Sequence, residues 1–99
     1  MLIKNDVKQI KQNQNEPILK WTSTVSNCVE ICYALDLMGC INEGKASVKQ
    51  ITTAFGKTFN IDVVDYAQSM KFIKKRKRDN LFLSEMANTL FQFILNSSK

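Results

Sequence analysis

Ser47-Val48-Lys49-Gln50 opens, and Lys71-Phe72-Ile73-Lys74-Lys75-Arg76-Lys77-Arg78 closes, the stretch on which the rest of this sequence is organised. Ser47 with Gln50 three positions on has the form of a capping box, in which side chains satisfy the free N–H groups of a helix start. Val48, Ile51, Ala54, Phe55 and Phe59 then recur at helical spacing and define a buried face. Asn60 begins a break. Asp62 can cap a third helix, with Asp65 in its first turn, where negative charge suits the helix dipole. That helix is expected from about Val63 to Lys75. Helix, tight turn and helix ending in cations form the pattern of a nucleic-acid-binding helix-turn-helix.

The charge is local. Of the eight residues from Lys71 to Arg78, 6 are cationic, and the other 8 cations of the chain face 9 acids. A helix C-terminus favours cations through its dipole, which explains part of the run. Six cations in eight residues exceed what that requires, and their repulsion costs stability unless a polyanion or counterions lie against them. Lys and Arg supply sequence-independent affinity for phosphates. Reading bases needs side chains on the exposed face of the third helix, and Gln68, Ser69, Tyr66 and Phe72 are the candidates. Asp62 and Asp65 would repel phosphates at the helix start unless turned away, which leaves the contacting to the basic C-terminal end.

Outside this stretch the chain reads as helices with few breaks. Met1 to Glu16 is rich in Lys, Asn and Gln, with Ile3, Val7 and Ile10 at helical spacing, and is either a marginal helix or a polar arm. Pro17 ends it, and Ile18-Leu19-Lys20-Trp21 carries an apolar Trp toward the core. Thr22 and Ser23 are N-cap candidates. From Thr24 to Met38, Val25, Cys28, Val29, Cys32, Leu35 and Met38 form one apolar stripe, with Ser26, Asn27, Glu30 and Asp36 off it. Gly39 follows where a left-handed cap belongs. Cys40 to Lys45 connects, with two or three extended residues. After the turn signal Asp79-Asn80, a fourth helix starts near Leu83, with Met86, Ala87, Leu90, Phe91 and Ile94 as its stripe and Asn96-Ser97-Ser98-Lys99 as a polar tail.

Composition bounds the function. The 99 residues make one domain with a modest core, and 1 Pro and 3 Gly argue against a turn-rich sandwich or barrel. No apolar run approaches the roughly 18 residues needed to cross a bilayer, and the N-terminus lacks the apolar segment of a signal peptide, so a cytoplasmic protein is expected. With 3 Cys and no His, a metal centre lacks ligands, and buried thiols are the better reading of Cys28 and Cys32. Gly56-Lys57-Thr58 echoes a phosphate-binding loop but sits inside a helical stripe with no glycine loop before it. Without His, and with no acids paired for proton transfer, the chain is read as a non-enzyme.

Several short runs, in order, carry a resemblance: Leu19-Lys20-Trp21-Thr22-Ser23; Val29-Glu30-Ile31-Cys32-Tyr33-Ala34-Leu35; Gly39-Cys40-Ile41-Asn42-Glu43-Gly44-Lys45-Ala46; Phe59-Asn60-Ile61-Asp62; Lys77-Arg78; and Phe82-Leu83. Together they resemble the C-terminal domain of the RteC family, regulators of tetracycline-inducible excision genes of conjugative transposons in gut anaerobes. The family pattern has a Trp-Thr-Gly-Ser start, a Leu-x-Glu-Leu-x-Tyr-Ala-Leu helix, a Phe-Asn-Ile-Asp-Leu turn, and a basic segment leading to Phe-Leu-Asp and a last amphipathic helix. The likeness spans roughly residues 17 to 95. It implies a helical, winged-helix-like domain that binds promoter DNA, with Lys74 to Arg78 as the contact region by position. Val25 and Val63 to Asp65 depart from the pattern, and Met1 to Glu16 stands where the family carries a larger domain. For a wing, Cys40 to Lys45 offers one short strand, with Arg78 to Leu81 to pair with it.

The expectation is therefore a mainly α, four-helix domain over residues 17–96, of helix-turn-helix or winged-helix-like architecture, preceded by the arm at 1–16. Its expected role is transcriptional regulation of a mobile element. Lys71, Lys74, Lys75, Arg76, Lys77 and Arg78 would meet DNA phosphates, and Gln68 and Ser69 would face the bases. Double-stranded promoter or operator DNA is the expected partner, homodimerisation is left open, and no cofactor or membrane is implied. The alternative is a protein-interaction module that binds no nucleic acid and uses exposed Phe72, Phe91 and Phe93.

Overall fold

A computed structural model describes residues 18–97, which form four helices and, among the described residues, no strand. The expected arm at 1–16 lies outside the described residues. Helix α1 spans Val25–Met38, α2 Val48–Phe59, α3 Tyr66–Ile73 and α4 Phe82–Ser97, with 3-10 turns at Asn42–Gly44 and Arg78–Asn80. None of these helices is long and apolar enough to cross a membrane.

Helix α1 is the axis of the fold. Its cap is Thr24, whose Oγ1 accepts from the Asn27 N–H at 3.0 Å, rather than Thr22 or Ser23 just before it. Ser23 is used differently, since its Oγ accepts from Asn27 Nδ2 at 2.8 Å. Gly39 closes the helix at φ 68°, in the left-handed conformation expected of it. Cys28, Val29 and Cys32 are fully buried, whereas Val25 and Met38 at the ends of the stripe are exposed. α1 packs against both α2 and α3, so those two helices are held mainly through it rather than on each other.

The capping box at the start of α2 is complete: Gln50 N–H donates to Ser47 Oγ, and Ser47 N–H donates to Gln50 Oε1 at 2.8 Å. The buried face of α2 is Ile51 and Thr52, flanked by half-buried Phe55 and Phe59, while Ala54 is exposed. Thr52 can be buried because its hydroxyl donates back to the Lys49 carbonyl at 3.0 Å. Cys28, Cys32, Ala46 and Ile51 make the centre of the core, with Trp21, Leu35, Phe55, Ile61 and Val63 packed around it.

Trp21 joins three parts of the chain. Its ring stands edge-on to Phe55 at 5.5 Å, Phe59 at 6.5 Å and Phe82 at 5.9 Å. Its backbone N–H donates to the Phe59 carbonyl and its indole N–H to the Thr24 carbonyl. Edge-to-face contacts of this kind suit the ring quadrupole and add to the burial of area.

Two connectors differ from the expectation. Cys40 to Lys45, which was to supply a short strand, has Ile41 extended but positive φ at Asn42 (51°), Glu43 (57°) and Gly44 (83°), a backbone that cannot join a β-ladder, and no strand forms among the described residues. Arg78–Asn80, its expected partner, is a 3-10 turn. After α2 the chain turns at Asn60 (φ 53°), and the Ile61 N–H returns to the Gly56 carbonyl at 3.0 Å. The Ile61 carbonyl sits where a side chain at position 56 would be, 2.5 Å from an added Cβ. Gly56 thus permits the fold-back that the Gly-Lys-Thr echo only obscured.

Candidate nucleic-acid interface

α3 starts later and ends earlier than its apolar spacing suggests. Asp65, not Asp62, is its cap, and its Oδ1 accepts from the Gln68 N–H at 3.0 Å. Ile61 to Val64 precede it as non-helical chain, in keeping with the weak helix preference of β-branched residues. The helix stops at Ile73. Continuing it would stack Lys71, Lys74, Lys75 and Arg78 three and four apart, where like charges repel. Instead Lys75 N–H donates to the Phe72 carbonyl and Arg76 N–H to the Ile73 carbonyl, a tight turn after which Lys77 is extended (φ −72°, ψ 156°).

The basic run is therefore one residue on a helix, Lys71, and five on the turn that follows. Lys71, Lys74, Lys75, Lys77 and Arg78 are exposed. Arg76 points inward: its Nη1 donates to Asn27 Oδ1 at 2.9 Å and pairs with Glu30 Oε1 at 3.1 Å. That is the one salt bridge among the described residues, so no acid there is ion-paired with any of the five exposed cations. Lys75 Nζ lies 5.8 Å from the centroid of the exposed Phe72 ring, a cation–π distance.

The base-reading candidates divide. Gln68 is exposed on α3 beside the cations, and Ser69 is half-buried. Tyr66 is half-buried and turned toward α1, where its ring meets Tyr33 edge-on at 6.1 Å. Asp62 and Asp65 are both exposed, the latter occupied by its capping bond. The structure thus gathers Lys71, Phe72, Lys74, Lys75, Lys77, Arg78 and Gln68 into one exposed stretch of chain, and it separates Arg76 and Tyr66 from them.

Two residues that position this surface carry no mark in the sequence. Glu30 and Asn27 fall off the apolar stripe of α1 and read as solvated positions. Yet Glu30 is 4% exposed, and its second oxygen accepts from the backbone N–H of Leu83 at the start of α4. One carboxylate therefore ties α1 to the basic turn and to α4 at once. The Ser84 hydroxyl adds a further tie, donating to the Arg78 carbonyl.

Searches of curated proteins and of solved structures return no significant match to this chain. The family model described as RteC protein matches residues 2–98, a span reaching further toward the N-terminus than the motifs quoted above. That match covers nearly the whole chain, so it belongs to the RteC family and is a protein related to conjugative transposons.

Proposed function

We propose that the chain is a small DNA-binding transcriptional regulator of a conjugative transposon, acting in the cytoplasm and without catalysis. It would use α2 and α3 as a helix-turn-helix-like unit and the turn after α3 as its phosphate clamp. The observation that carries this reading is the set of exposed cations Lys71, Lys74, Lys75, Lys77 and Arg78 on one short stretch, none of them ion-paired among the described residues, with the sixth cation diverted to fix the turn. The backbone of the turn is set by its own hydrogen bonds and by Arg76, so the cations stand close together along the chain, and each phosphate they neutralise releases counterions. The basic turn does the backbone gripping that a wing does in winged-helix proteins. Gln68, exposed one to two helical turns before it, is the side chain placed to face a base edge.

Fluorescence anisotropy against random duplex DNA at two salt concentrations tests this. Each phosphate neutralised contributes about 0.9 to the slope of log K against log salt, so five cations give a slope of up to about 4.5. Absence of binding at low salt overturns the reading.

A further inference from the structure

Among the described residues, helix α4 is held at its first turn. Phe82 touches Trp21, the Leu83 N–H meets Glu30 and the Ser84 hydroxyl meets Arg78, but from Glu85 onward every described residue of the helix is exposed. The residues left outside are large and apolar: Met86 is 43% exposed, Leu90 59%, Phe91 55% and Phe93 67%. Leu83, Met86, Leu90 and Phe93 step by three, four and three, the spacing of a seam between two helices. Ala87 and Phe91 widen it on one side.

We infer that this face of α4 is a self-association surface, and that its occupant is α4 of a second copy in antiparallel contact. Three observations select a second copy. The helix carries a single charged residue, Glu85, in its first turn, so the face offers nothing to steer a foreign, charged partner and nothing to repel itself. Antiparallel pairing sets the two Glu85 carboxylates at opposite ends of the contact, and it opposes the two helix dipoles. The area also fits. With roughly 200 Å² for each large side chain, the exposed parts of Met86, Leu90, Phe91 and Phe93 come to on the order of 450 Å². Interfaces are a little over half apolar, so that patch belongs to a contact of about 800 Å² per copy, the standard size for a specific pair. Asn88, Thr89 and Asn96 lie beside the face and supply an uncharged polar rim.

The inference stands apart from the DNA reading, because none of the exposed cations lies on α4. Its test is sedimentation equilibrium of the full chain from low to high micromolar concentration. The expected result is a concentration-dependent species of twice the 11.3 kDa chain mass. Leu90→Glu with Phe93→Glu should raise the dissociation constant by about 30-fold or more, the weight of one interface hot spot, with helical circular dichroism retained. Should the double variant lose helix, Phe93→Asn alone serves, and it too should weaken the pair. A wild-type chain that is monomeric throughout overturns the proposal, whether its own first residues or a foreign protein covers the face. A dimer that persists undiminished in the variants overturns it equally.

Discussion

Arg76 Nη1 lies 3.1 Å from Glu30 Oε1, and this pair, although the two residues are far apart in sequence, sets the path of the basic turn. Glu30 is nearly buried and Arg76 about a quarter exposed, so the pair sits at the edge of the core where water screens it only in part. Loss of the carboxylate strands the Leu83 N–H and frees the guanidinium. Breaking a buried pair costs about 3–5 kcal/mol, and the partial exposure of Arg76 brings that down to about 2–3 kcal/mol for Glu30→Ala. Glu85→Ala, on an exposed position of α4, should change stability by less than about 0.5 kcal/mol. Urea unfolding of the two variants measures both, and equal effects would show that Glu30 holds nothing.

The same geometry separates the cations by role. Lys77→Gln should lower DNA affinity and cut the salt slope by about 0.9, as loss of one phosphate contact does. Arg76→Gln should leave the slope nearly unchanged at a temperature where the protein is folded, and should show its effect in unfolding instead. Anisotropy titrations of these two single variants side by side decide it, and an equal fall in slope would return Arg76 to the DNA-facing set.

Gly56→Ala is a test of the α2 fold-back. The new Cβ would lie 2.5 Å from the Ile61 carbonyl oxygen, which is backbone and cannot swing aside. Overpacking of this sort costs about 1–3 kcal/mol. A thermal midpoint as high as wild type would mean that the turn at Asn60–Ile61 is not held in this form.

The three cysteines should behave differently toward a thiol reagent. Cys40 is exposed, whereas Cys28 and Cys32 are fully buried. Burial pushes both buried thiols up, Cys32 to about 12, aided there by the neighbouring Cys28. One thiol should therefore react in the native protein and three after unfolding, read by mass spectrometry.

Those shifts also give stability a pH dependence. In the unfolded chain the thiol ionises near 9.0, while in the folded chain Cys32 stays protonated to about 12. The stabilisation is fully present below pH 9 and is lost as pH rises from there toward 12. Tyr33, also raised by burial first of all, acts in the same direction. Cys32→Ala should flatten the decline, although its cavity lowers stability at every pH; denaturant midpoints across that range report the slope.

Local chemistry settled much of this protein before any packing was considered. The Ser47–Gln50 box, the left-handed cap at Gly39, the break at Asn60, the Cys28–Val29–Cys32 face and the basic run depend on residues within a few positions of one another. Such features are written in spacing and propensity, and a sequence displays them directly. What depended on tertiary structure involves partners far apart in the chain. Glu30 looks solvated until Arg76 and Leu83 meet it, and Arg76 looks like one more surface cation until Glu30 draws it in. The Gly56–Ile61 approach was set the same way, by where the neighbouring backbone had to go. The apolar stripe of α4 was legible as a stripe; only the fold decided that most of it lies outside the core, because among the described residues the half-buried positions of α4 are those of its first turn, Phe82 to Ser84.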